Sequence, residues 1–239
     1  MTAMPSSAIL SAVLLSLLCA AAAVILCLPP AVALAWLMAR KHFRGKTLLE
    51  VLIMLPLVVP PVVTGYVLLV TLGRHGWAGS LLHDLFHLRV AFTWIGAAIA
   101  QAVIALPLMV LTLRVAIESV DPDLEQAAVT MGASRLRVFF RVTLPLSRHG
   151  LAAGCVLGFA RALGEFGATI MIAGNIPGRT QTLPLAIFSA ANQPGNEAAV
   201  AGLILITIAL AAGSLILARY LSGRTLRNVV LQSRKSGTA

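Results

Sequence analysis

Arg161 and Glu165 lie four residues apart inside an otherwise apolar run, so both fall on one helical face and can form an ion pair. His83 and His87 have the same spacing, which would suit two metal ligands on a helix. No third ligand accompanies them, and no metal site is expected. Gly45-Lys46-Thr47 is the tail of a phosphate-binding loop, but the position that must hold an earlier glycine is Arg40. The chain therefore offers no nucleotide site, and any ATP used here must be hydrolysed by another protein. Cys19, Cys27 and Cys155 lack metal or disulfide spacing and read as small buried hydrophobes. No group of residues suited to bond chemistry emerges, so the chain is not expected to be an enzyme or to bind a cofactor.

The elements that must hold these residues are membrane helices. Of 239 residues, 59% are hydrophobic and 11% charged, against roughly 45–50% and 25% in soluble domains. A helix crossing the roughly 30 Å hydrocarbon core needs about 20 apolar residues. Spans are expected over 8–39, 51–73, 90–113 and 198–218, with a fifth over 150–174 that carries Arg161 and Glu165. About 12 residues into that span, roughly 18 Å at helical rise, the pair should sit near mid-membrane and face protein or water.

Lys and Arg accumulate in cytoplasmic loops. With five spans, Arg74, Arg89 and Arg179 fall on one side, and every other Lys or Arg except Arg161 falls on the opposite side. The N-terminus is therefore expected outside the inner membrane and the C-terminus in the cytoplasm, with residues 221–239 as a basic tail. This placement accounts for the net charge of +10 without nucleic acid. Ala20 to Ala23 resembles a cleavage region, yet no basic residue precedes the apolar run, so the first helix is expected to stay uncleaved.

Prolines punctuate three spans. Pro29 with Pro30, Pro56 with Pro60 and Pro61, and Pro107 are candidate helix breaks, where freed carbonyls could line a polar path. Residues 74–89 should form a short interfacial helix bearing Trp77, Leu81, Leu82, Leu85, Phe86 and Leu88. Leu183 to Ala191 is apolar but too short to span, and is expected to lie at an outer mouth.

Between the third and fourth spans, residues 118–147 are expected to form two short helices. Asp121-Pro122-Asp123 opens the first with an acidic N-cap and a first-turn proline. Leu124, Ala127, Ala128 and Met131 share its apolar face, and Gly132 stops it. A second, basic helix is expected from Ala133 to Phe140, closed by Leu144-Pro145. Small residues at Ala127, Ala128, Gly132 and Ala133 would admit a partner's backbone; a lipid-surface helix is the alternative.

Gln126-Ala127-Ala128, three residues, Gly132, nine residues, then Val142-Thr143-Leu144-Pro145 resembles the EAA motif of permease subunits in bacterial ABC importers. Gln126 replaces the usual glutamate and Val142 the usual isoleucine. Two further stretches, Leu55 to Tyr66 and Phe159 to Thr169, resemble molybdate permeases, the second being shared with sulfate permeases.

The resemblance implies an all-α polytopic protein with the type I ABC importer permease fold, a single permease domain over 8–220. It implies a homodimer that imports a tetrahedral oxyanion by alternating access, most simply molybdate, with sulfate or tungstate as alternatives and a secondary transporter or channel as the rival. Two cytoplasmic ATP-binding subunits and a periplasmic oxyanion-binding protein would be its partners, alongside membrane lipid. Glu125, Gln126, Ala127, Ala128, Gly132, Leu144 and Pro145 would couple it to the ATPase. Arg161 would either attract the oxyanion or, paired with Glu165, fix helix packing. Under the packing alternative, exchanging the two residues should preserve transport.

Overall fold

In the computed structural model, which describes residues 6–236 with side chains over 7–220, every regular element among the described residues is helical. Three helices are long and apolar enough to cross a membrane: α1 (Ser6–Arg40), the helix Trp94–Glu118 and the helix Glu197–Ser236. Two bent pairs are each long and apolar enough, taken together, for one further crossing. The first is α2 (Lys46–Val58) with α3 (Pro61–Leu72), bent by 107°. The short α4 (Trp77–Phe86) follows, and Trp94–Glu118 is then α5.

The break between α2 and α3 follows from Pro60 and Pro61. Neither has an N–H to offer the carbonyls of Pro56 and Leu57, and a residue before proline is driven out of the helical region. Val59 and Pro60 are accordingly extended, at ψ 136° and 130°. Pro29, Pro30, Pro56 and Pro107 behave otherwise: α1, α2 and α5 run through them without interruption, which corrects the expectation of breaks at those positions. A proline inside a helix forfeits one hydrogen bond, whereas ending the helix within an apolar phase would strand several backbone groups. Pro107 is also buried among neighbouring helices, so its freed carbonyl is shielded from lipid.

Helix directions constrain the path between the long helices. Cys19 Sγ donates to the Trp94 carbonyl at 3.6 Å near one end of α1, and Arg40 donates to the Ile117 and Val120 carbonyls at the other. Therefore α1 and α5 run parallel, and the chain between them must cross back through the bent α2–α3 pair. Alanines 20, 23, 31 and 35 on α1 and 102 and 105 on α5 form much of their shared core, letting the two backbones approach closely.

Two short helices, α6 (Pro122–Thr130) and α7 (Arg135–Val138), lead through a π turn (Phe139–Thr143) and α8 (Leu144–Leu146) into α9 (Arg148–Leu163). The expected second loop helix is therefore shorter than 133–140, and Leu144-Pro145 continues the helical path. Pro145 cannot donate to the Arg141 carbonyl and its ring would crowd it, and the turn widens there. Gly150, Gly154 and Gly158 pass Ala116, Leu113 and Met109 in turn, so α9 runs antiparallel to α5.

α9 continues after a 66° bend as α10 (Gly167–Ala173), the second broken span. α10 packs against α3, where a Cβ on Gly65 would lie 2.6 Å from the Ala168 backbone. The Phe92 N–H donates to the Ile172 carbonyl at 2.9 Å, tying α10 to the entry of α5. α11 (Leu183–Ala191) is buried between α1 and α12 (Glu197–Ser236), with its Leu183 N–H held by Ser16 Oγ at 2.6 Å. The side chains of the expected tail, 221–239, lie outside the described residues.

Candidate functional site

The end of the bundle that carries Arg40 is built around α6. Asp121 caps it, its Oδ1 accepting from the Asp123 N–H at 2.9 Å, and Pro122 occupies the first turn. At the other end Gly132 adopts φ +87°. The Gly132 N–H donates to the Val129 carbonyl at 2.9 Å and the Ala133 N–H to the Ala128 carbonyl at 3.0 Å. That pair of bonds is the Schellman stop, which needs a left-handed residue where glycine alone avoids a Cβ penalty.

No residue of α6 is buried. Gln126 and Ala127 are exposed and Ala128 is half-buried, and Leu144 and Pro145 sit half-buried and exposed on α8. Leu124, Val129 and Met131 leave 50%, 47% and 82% of their surface open, so this helix presents apolar surface outward. Between α6, α7 and the end of α1 lies a cavity of about 450 Å³, lined among others by Trp36, Lys41, Gln126 and Arg135.

Glu125 departs from the docking role the resemblance gave it, because its carboxylate points inward. It lies 3.0 Å from Arg40 Nε, accepts from Arg40 Nη2 at 3.1 Å, and accepts from the Thr143 hydroxyl at 2.6 Å. The same Nη2 donates to the Ile117 and Val120 carbonyls at 3.0 and 2.7 Å. The Glu125 carboxylate thus joins α6 to α1 and to the π turn, and Arg40 extends the connection to the end of α5. Arg40 was legible only as a topology-setting charge, and Thr143 as an unspecified position in a motif. A second ion network, Arg114 with Glu50 and Glu118 at 2.8 Å each, ties α2 to α5 nearby.

In mid-bundle Arg161 Nη1 donates to Glu165 Oε2 at 2.9 Å, with Glu165 2% exposed and Arg161 29%. The other oxygen of Glu165 accepts from the Ala168 N–H at 2.9 Å, so this side chain also holds the first turn of α10 across the bend. The exchange Arg161→Glu with Glu165→Arg therefore cannot preserve the arrangement, since arginine accepts no hydrogen bond. Sequence reasoning also passed over Gln101 and Thr169, buried on α5 and α10 with no protein partner for their side-chain polar atoms.

Near the opposite end, Asn175 Nδ2 donates to Ser189 Oγ at 2.7 Å and Gln181 Nε2 to Asn175 Oδ1 at 2.9 Å, bracing α11 against the end of α10. His83 and His87 meet edge to face, 6.1 Å between ring centres, and no group of three metal-ligating side chains occurs among the described residues.

Residues 31–227 match the family described as binding-protein-dependent transport system inner membrane component. The molybdenum transport system permease protein ModB of Haemophilus influenzae is 52% identical over 215 residues, covering 90% of this chain and 94% of that protein. ModB of Escherichia coli K12 is 52% identical over 211 residues, covering 88% and 92%. The sulfate transport system permease protein CysT of Salmonella typhimurium is 40% identical over 184 residues, covering 77% and 65%. Among solved structures, a bacterial ABC transporter involved in alginate import superposes with a TM-score of 0.67 at 18% identity, covering 93% of this chain and 80% of that one. A second alginate transporter structure, with its periplasmic protein bound, gives a TM-score of 0.66 at 17% identity, covering 92% and 79%.

Proposed function

Since this chain belongs to the family of binding-protein-dependent transport system inner membrane components, we propose that it is the permease subunit of an ATP-driven importer of molybdate. The observation that carries the substrate is 52% identity, over nine-tenths of the chain, to molybdenum permeases. The 40% identity to a sulfate permease is the observation behind a second reading, in which sulfate or tungstate is carried. The chain binds no cofactor of its own and hydrolyses no nucleotide.

In this reading the basic end, with Arg40, α6 and the start of α9, is cytoplasmic, and the N-terminus is periplasmic. Two copies form the pathway, with residues 8–220 as the permease domain and 221–239 as a cytoplasmic tail. Exposed apolar residues on α2 and α3, among them Val58, Val62 and Tyr66, suit lipid or the second copy. An ATPase binds at α6 through Gln126, Ala127, Ala128 and the outward apolar residues, with Leu144 and Pro145 beneath. A soluble binding protein delivers the oxyanion at the opposite end. ATP binding and hydrolysis drive the cycle by favouring the inward- and outward-facing states differently. The Arg161–Glu165 pair fixes the bend between α9 and α10, and the partly exposed guanidinium offers a passing anion a weak contact, since a tight site would slow release.

The test is uptake of labelled molybdate into vesicles containing this chain, its ATPase and its binding protein, with sulfate and tungstate as competitors. ATP-dependent uptake that molybdate competes for best supports the proposal. Uptake without the ATPase would refute it, and stronger competition by sulfate would move the substrate to the second reading.

A further inference from the structure

α6 is attached to the bundle in an unusual way. It has no buried residue, and a cavity of about 450 Å³ separates part of it from α1. Among the described residues, Glu125 is the one α6 side chain hydrogen-bonded to another helix, and its partners are nearly all inside. Thr143 is 1% exposed, and the Arg40 and Glu125 side chains are 15% and 18% exposed. With every side chain at least partly open to solvent, α6 touches the bundle mainly through its neighbours α7 and the π turn. Among the described residues, the hydrogen-bonded route from α6 to α1 is this carboxylate.

We propose that Arg40, Glu125 and Thr143 form a latch that transmits movement of α6 to the membrane helices, with Arg40 and Thr143 as positioning residues for coupling. The inference rests on the transport reading above. Arg40 suits the task because its planar fork reaches a carboxylate, the Ile117 carbonyl of α5 and the Val120 carbonyl just beyond it, which a lysine ammonium cannot reproduce in that geometry. Thr143 suits it because it sits in the π turn at the head of α9, so a pull on Glu125 reaches α1, α5 and α9 together.

The experiment uses the full transporter in vesicles and reads oxyanion imported per ATP hydrolysed. Thr143→Val removes one hydrogen bond to the carboxylate at nearly constant volume. The ratio should fall about tenfold, the order expected for a hydrogen bond to a charged group, and Thr143→Ser should restore it. Arg40→Gln and Glu125→Gln should each lower the ratio, and the double variant should be no worse than the poorer single one. Wild-type coupling in Thr143→Val, or losses that multiply in the double variant, would overturn the latch. If Arg40→Gln fails to assemble, the Thr143 pair decides alone. Absence of ATP-dependent uptake in the wild type would instead sink the transport reading.

Discussion

Replacing Gly132 with alanine isolates the contribution of one backbone conformation to α6. At φ +87°, a Cβ on this residue would meet nothing within 4 Å, so the substitution adds no clash. Its cost is the left-handed conformation alone, about 1–2 kcal/mol, which shifts the ratio of capped to frayed helix roughly 5–30-fold. A nine-residue helix with no buried side chain starts close to balance, since isolated helices shorter than about 12–15 residues are marginal. Partner affinity scales with the competent fraction, so the dissociation constant for the ATPase should rise by up to that same factor.

Gly45 supplies the control. It has φ +94° and equally open surroundings, but lies in the turn between α1 and α2. Gly45→Ala carries the same strain without touching α6. Titrating the purified ATPase against both variants and Gly132→Asn, whose side chain tolerates the left-handed region, should give the order Gly132→Ala, Gly132→Asn, Gly45→Ala in weakening. Equal weakening by Gly45→Ala and Gly132→Ala would refute the reasoning, as would unaltered affinity in Gly132→Ala.

Glu165→Gln keeps an oxygen for the Ala168 N–H and should retain most uptake per assembled transporter, whereas the Arg161–Glu165 exchange should lose it; equal uptake by the two would refute the capping of α10. Gly65→Ala drives a Cβ against the Ala168 backbone, which cannot rotate away, so thermal unfolding in detergent should reveal a loss of about 1–3 kcal/mol or more. Gly202→Ala, with nothing near its missing Cβ, should show no such loss, and matching melting temperatures would contradict the close approach of α3 and α10. Arg114→Gln removes an ion network one-quarter exposed to solvent and should cost about 0–1 kcal/mol with uptake retained, as measured in the same two assays.

Composition made the candidate crossings legible because a bilayer imposes length and apolarity on every span. The cap at Asp121 and the stop at Gly132 were legible for a similar reason, since each depends on neighbours only a few residues away. The fate of the prolines was not. Pro29-Pro30 and Pro60-Pro61 are the same dipeptide, yet α1 runs through the first pair and α2 ends before the second, so local sequence does not separate them. Glu125 was misread because its partners, Arg40 and Thr143, lie 85 and 18 residues away. The motif resemblance groups Glu125 with the expected docking residues on the same short helix, but only the approach of α1 and the π turn reveals that its carboxylate points inward.

An unburied helix held by one carboxylate has an evolutionary consequence. The core places little demand on the remaining positions of α6, so under the proposed docking of an ATPase there their identities answer to that partner. Segment 122–130 can therefore drift, or be exchanged between related permeases as a cassette, without forcing compensating changes among the membrane helices, provided the acid at 125 and the glycine at 132 are kept. Partner choice and substrate passage are thereby heritable almost independently of one another.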